Sequence, residues 1–200
     1  MLPKRRFYIL IPSRALDSGK TRLAPVLGPK ERRAFSRKSL RHVATIARAV
    51  AGSGQTVVIS GSGEVLGLAR RLGVRAVAER RPGLNAAVTQ GVRFARDHRA
   101  LAMLVVHADL PEIRKNDLLR ALQTLARHGG AMLAPDSKRE GTNALALRTA
   151  AAFRFHFGPD SFAKHLAEAR RRKLRVRVVQ CAGLGRDVDT PEDYQALARG

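Results

Sequence analysis

Short runs of apolar residues alternate along the chain with longer stretches in which apolar positions recur every three or four residues. The short runs at 8–11, 56–60, 75–78, 102–106, 131–134, 144–147 and 176–179 are too brief for helices, and the pattern predicts strands there. The longer stretches predict helices at about 29–50, 64–72, 84–95, 118–126, 162–172 and 191–198. Punctuation agrees with this division: Pro29 and Pro191 suit a first helical turn, and Gly73 and the Gly129-Gly130 pair suit helix stops. Strands alternating with helices mean α/β units around a mostly parallel central sheet flanked by helices. No linker, repeat or low-complexity stretch interrupts the pattern, so residues 1–200 are expected to form a single domain. In open sheets of this kind ligands sit outside the carboxyl ends of the strands, so a polar motif just after a strand is a candidate site.

Composition changes this picture little. A chain of 200 residues buries a sizeable core without staples, and the single cysteine, Cys181, allows no internal disulfide and fits a reducing compartment. No apolar run approaches the ~20 residues of a bilayer span, and residues 7–12 are too short for a signal-peptide core. A cytoplasmic protein without a membrane partner is expected. The formal net charge of +22 invites a nucleic-acid reading. Against it, aromatics are only 4% and are not interleaved with basic residues, so no base-stacking platform is visible. Arg32, Arg33, Arg37, Lys38, Arg41 and Arg48 fall on one predicted helix, and Arg170 to Lys173 near the end of another, where they read as solvated faces.

Candidate chemistry lies where the sheet rule puts it. The loop after the first strand carries Arg14, Lys20 and Arg22. Gly19-Lys20-Thr21 is not a P-loop, because Arg14 stands where the first glycine is required. A mobile ammonium and a planar guanidinium suit polyphosphate, and a solvated turn is the plain alternative. Ser60-Gly-Ser-Gly resembles the start of a dinucleotide fingerprint, with Glu79 about 20 residues on, but Leu66 occupies the third glycine position. Gly83 and Asn85 open a predicted helix: Gly83 permits close backbone approach, and Asn85 offers donor and acceptor to a purine edge. The same residues also fit an ordinary N-terminal turn. Asp109 follows the most apolar strand, where a carboxylate is costly unless paired or on a metal; capping the next helix is the alternative. His107, a lone histidine, reads as structural. Asp187 and Asp189, two apart in an extended segment, point the same way and suit a divalent cation, whereas Thr190, Pro191 and Asp193 read as the cap of the last helix. Thr142, Gly158 and Ser161 lie at turns able to cradle an anion, with a helix N-cap the competing role for Ser161.

In chain order these pieces are KTRLAP (20–25), GLN (83–85), ADLP (108–111), GTNAL (141–145), FGxxSFxxH (157–165) and DVDTPED (187–193). Taken together they resemble the 2-phospho-L-lactate guanylyltransferase family of coenzyme F(420) biosynthesis, over residues 8–194. GTNAL followed by FGxxSFxxH is the specific part; ADLP and DVDTPED suit nucleotidyltransferases of sugar-nucleotide type at large. Two positions differ from the family pattern: Arg14-Ala-Leu16 replaces a Lys-Pro-Leu stretch, and His107 stands where proline is usual.

The resemblance implies a Rossmann-like nucleotidyltransferase fold and transfer of GMP from GTP to a small phosphorylated C3 acid, with pyrophosphate released. It implies that Lys20 and Arg22 hold the GTP phosphates, and that Lys20, Arg22 and Asp109 carry catalysis. Gly83 and Asn85 would lie near the guanosine, Thr142, Gly158 and Ser161 would hold the acid, and Asp109, Asp187 and Asp189 would bind Mg²⁺. A downstream transferase would accept the product. Phosphoenolpyruvate, 3-phospho-D-glycerate and 2-phospho-L-lactate all fit, and the arginine- and alanine-rich composition favours the first two. A relative acting on molybdopterin or a sugar phosphate, and a basic nucleic-acid-binding protein, are the competing readings.

Overall fold

The computed structural model describes residues 7–199, and side chains as far as Leu197, so the basic segment 1–6 lies outside the described residues. Seven strands form one sheet in the order β3-β2-β1-β4-β6-β5-β7. They are β1 (Phe7–Pro12), β2 (Thr56–Ser60), β3 (Arg75–Ala78), β4 (Ala102–Val106), β5 (Ala131–Pro135), β6 (Thr142–Arg148) and β7 (Val176–Val178). The helices are α1 (Pro29–Ala51), α2 (Gly63–Arg71), α3 (Leu84–Asp97), α4 (Lys115–His128), α5 (Ser161–Arg171), α6 (Ala182–Gly185) and α7 (Pro191–Arg199). All adjacent pairs are parallel except those of β6, which runs antiparallel to both β4 and β5. The mostly parallel α/β sheet expected from the pattern is therefore present. The short helix α6 and a 3-10 turn at Thr21–Leu23 were not foreseen, being too short to show a period.

A strand covered on both faces has no polar side, which is why β1, β2, β4 and β5 are buried along their whole lengths. Alternation still assigns each residue to a face. Ile9 and Ile11 of β1, Val58 of β2 and Leu104 of β4 pack with Val43 and Ala47 of α1 and Leu118 and Leu122 of α4. On the opposite face Leu10, Ile59 and Val105 pack with Ala87 and Val88 of α3 and with Phe155, Phe157 and Phe162. Leu23, Leu27 and Val188 form a separate small cluster with Phe35, Tyr194 and Leu197. That cluster ties the loop after β1 to the segment before α7, which is what brings Lys20 to Asp189.

Gly91 lets α3 lie close on the sheet: a Cβ there would stand 3.0 Å from Ile59 Cδ1 and 3.2 Å from Leu10 Cδ1. Gly91→Val should therefore overpack this contact and lower unfolding stability by about 1–3 kcal/mol in urea denaturation. Wild-type stability in that variant would show that α3 has room to move.

Candidate active site

The sheet order reverses between the neighbouring strands β1 and β4, and in open sheets of this kind the ligand crevice lies outside the carboxyl ends of such a pair. Lys20 reaches this crevice from the β1 loop, in a left-handed backbone conformation (φ 62°) that starts the 3-10 turn. Its Nζ donates to Asp109 Oδ2 at 2.8 Å, just past β4, and to Asp189 Oδ1 at 2.6 Å, before α7. Only 7% of the lysine side chain is exposed. Burial pulls the ammonium pKa down, but Asp109 and Asp189 outweigh it and hold it above the ordinary lysine value. Burial likewise pushes Asp109 up, and Lys20 overcomes that and keeps the carboxyl below its usual range.

The ammonium pairs with two of the three acids here, Asp109 and Asp189. Asp187 accepts a hydrogen bond from Asn143 Nδ2 at 3.1 Å, and its pKa is raised, by burial first and then by the carboxylates of Asp109 and Asp189. Asp109 Oδ1 is buried with no hydrogen-bond partner among the described residues. The site thus holds more negative charge than it neutralises. Asp193 accepts from the amides of Asp189 and Thr190 while Thr190 Oγ1 accepts from Asp193 N, so the expected cap forms and fixes the backbone of Asp189. Arg22, on the same turn as Lys20, is exposed and makes no ion pair among the described residues.

A second group of residues lies along β6 and α5. Thr142 and Ser161 are buried, and Gly158 sits in open space with φ 128°, a conformation that favours glycine. The competing role for Ser161 is not realised: Asp160 is the N-cap of α5, and Ser161 is its first residue. Between β6 and α5 the chain is irregular, yet its amides are satisfied by side chains. Arg154 N donates to Glu168, His156 N to His165 Nε2 at 2.9 Å, and Phe157 N to Asn85 Oδ1 at 2.7 Å. Asn85 also donates to Phe157 O at 3.0 Å, so it uses both ends of its amide to moor the segment to α3. Gly83 precedes it with φ 116° and open space around it.

Because His165 Nε2 accepts from a backbone amide, its proton resides on Nδ1, which donates to Thr142 Oγ1 at 3.0 Å. The threonine hydroxyl hydrogen is thereby left to point elsewhere. Burial, helped by His156 and His107, lowers the His165 pKa to about 3. Burial also acts on Glu168, in the opposite direction, but the Arg154 amide and the Arg171 and Arg172 guanidinia overcome it and bring the carboxyl to about 2. Asn143 and His165 stand in GTNAL and FGxxSFxxH, but their partners, a distant carboxylate and a loop amide, leave no mark at any fixed spacing.

Residues 7–198 match the profile of the family described as guanylyl transferase CofC like. The chain belongs to that family. A phosphoenolpyruvate guanylyltransferase from Rubrobacter xylanophilus is 39% identical to this CofC-like chain over 190 residues, covering 95% of it and 92% of the relative. A 3-phospho-D-glycerate guanylyltransferase from Phenylobacterium zucineum is 37% identical over 185 residues, covering 90% and 84%. Among solved structures, a Desulfovibrio desulfuricans G20 protein assigned to the nucleotide-diphospho-sugar transferases superposes with a TM-score of 0.80 at 18% identity, covering 97% of this chain and 87% of that one. The fold of this CofC-like guanylyl transferase is thus the nucleotidyltransferase fold. No helix among the described residues is long and apolar enough to cross a membrane.

Acid stability follows from two shifted groups on α5, His165 and Glu168. Unfolded histidine takes up a proton near pH 6.5, and folded His165 does so only near 3, so stability falls as pH drops through that window. Glu168 titrates near 4.5 unfolded and near 2 folded, so its contribution is present above 4.5 and is lost below. Urea denaturation of His165→Gln should show a flatter decline between pH 6.5 and 4.5 than wild type; an unchanged slope would mean that the histidine is not held neutral.

Proposed function

We propose that this protein transfers GMP from GTP to a C3 acid bearing one phosphate and one carboxylate, releasing pyrophosphate. The observation that carries the reading is the charge arrangement at the switch point: a buried ammonium bridging Asp109 and Asp189, with Asp187 alongside. The family, and relatives named for phosphoenolpyruvate and 3-phospho-D-glycerate, point the same way.

Phosphates bind at the carboxyl ends of β1 and β4, where Lys20 supplies a point charge and exposed Arg22 a mobile one. The acceptor lies on the β6–α5 side. There Thr142, oriented by His165, donates its hydroxyl hydrogen, and Ser161 and the open backbone at Gly158 complete an anion cradle. An oxygen of the acceptor phosphate attacks the α-phosphorus of GTP. The new P–O bond forms as the bond to the β-phosphate bridging oxygen breaks, and pyrophosphate leaves in line. Phosphate is already anionic at neutral pH, so the nucleophile needs no general base. What the chain's own residues contribute is positioning and charge neutralisation.

The acids suit a hard divalent cation. Asp109, Asp187 and Asp189 present oxygen donors, Asp109 Oδ1 is buried and unpartnered, and Asp187 is destabilised in its charged form by its neighbours. Among the described residues they do not stand as a ready-made cage of three or more, since Lys20 lies between two of them. We assign Mg²⁺ to these three residues; bound, it would neutralise charge on the triphosphate. The same chemistry leaves a product in which a diphosphate joins guanosine to the phosphoester oxygen of the acid, with the carboxylate free, and this phosphoanhydride suits capture by a further transferase.

The test is pyrophosphate release from GTP and Mg²⁺ with phosphoenolpyruvate, 3-phospho-D-glycerate and 2-phospho-L-lactate in separate reactions. Release with at least one acid is expected, and Asp109→Asn should lower it by ~10²-fold or more while circular dichroism stays native. No release with any acid, or full activity in Asp109→Asn, would overturn the assignment.

A further inference from the structure

Glu79 takes no part in the mechanism above, yet its backbone is held on three sides. Its amide donates to Ser60 O at 3.0 Å, at the end of the neighbouring strand β2. The residues before and after it are gripped by one side chain of α3: Gln90 Nε2 donates to Ala78 O at 2.8 Å, and Arg80 N donates to Gln90 Oε1 at 2.9 Å. The carboxylate is half-buried and leans over Gly61, where a Cβ would stand 3.3 Å from Glu79 Oε2. Burial raises its pKa, opposed only by the charge of Arg14. Among the described residues no hydrogen bond holds this carboxylate, which leaves a partly desolvated acceptor over Gly61 at the carboxyl ends of β2 and β3.

Its position along the sheet decides what it can meet. Phosphates lie at β1 and β4, and the acceptor cradle occupies the β6 side, so the nucleoside must extend the other way, over β2 and β3. Glu79 follows β3, two strand spacings or about 10 Å from β1. That is the outer end of the nucleotide, where the base edge lies; the ribose adjoins the phosphates. A guanine edge presents two donors side by side, N1–H and the 2-amino group, and a carboxylate is the side chain that accepts from both. Adenine offers an acceptor at N1 and would be repelled.

We infer that Glu79 reads the guanine edge of the nucleotide and selects GTP. This rests on the nucleotidyltransferase reading, which places the phosphates. The sequence pairing of Ser60-Gly61 with an acid about 20 residues on is then a base-reading device, not a dinucleotide fingerprint.

Calorimetric titration of the full chain with GTP and with ITP, which lacks the 2-amino group, in the presence of Mg²⁺ tests this. Wild type should bind GTP about 10-fold or more tightly than ITP, and Glu79→Gln, isosteric but carrying a donor, should bring the two affinities together. The ratio is insensitive to the fraction of folded protein. An unchanged GTP-to-ITP ratio in Glu79→Gln, or equal weakening of both nucleotides as a ribose contact would give, overturns the inference. So does a wild type that fails to bind GTP. Selective GTP binding without pyrophosphate release would leave this inference standing and sink the proposed reaction; release with an unaltered ratio would do the reverse.

Discussion

An ammonium with 7% of its side chain exposed is tolerable in a protein only if carboxylates surround it, and Lys20 has two, drawn from distant parts of the chain. One follows β4 and the other precedes α7, so the contact closes the crevice at the point where the sheet order reverses. Removing the lysine would leave three acids facing one another with Asp109 Oδ1 already unpartnered. Removing an acid would leave the ammonium half-paired. The same surplus of negative charge is the basis on which a divalent cation, and through it and Lys20 a triphosphate, is assigned to this place in the proposed reaction.

A second constraint is backbone accounting. The irregular segment between β6 and α5 would carry buried amides with no ladder to join, and three side chains take them up: Glu168, His165 and Asn85. Two come from α5 and one from α3, so the segment locks both helices to a single register. His165 does more than satisfy an amide, because accepting at Nε2 forces it to donate to Thr142. The β6–α5 segment and the start of α3 are therefore joined through Asn85 rather than built independently.

Much of the fold was legible in the sequence because apolar runs of strand length and helical periods differ in kind. β1, β2 and β4 lie within a residue of their expected bounds or on them, and the flanking helices match apart from their ends. The antiparallel course of β6 was hidden, since strand direction leaves no trace in a fully buried run such as 144–147. At the site, Asp109 was visible from its place after a strand and Asp187 and Asp189 from their spacing in an extended segment; the structure brings the three acids near one another, two of them on Lys20. The contact of Lys20 with those acids was not visible, because it spans 89 and 169 residues and depends on the Leu23–Leu27–Val188 cluster to align the two segments. Asn85, read as a purine contact or a plain helix start, is occupied with the Phe157 backbone, and Glu79, noted only as part of an imperfect fingerprint, is half-buried beside Gly61 with no hydrogen bond to its carboxylate among the described residues.

The central claim is that Lys20 and Asp109 act as one unit holding the crevice together. A double-mutant cycle of Lys20→Met, Asp109→Asn and the pair, with unfolding stability measured in urea without nucleotide, tests it most directly. The account predicts that the double variant is less destabilised than the sum of the singles, with a coupling of about 0.5–3 kcal/mol. Additive effects would show that the two groups are neighbours without being partners, and the electrostatic basis assigned to the site would fail.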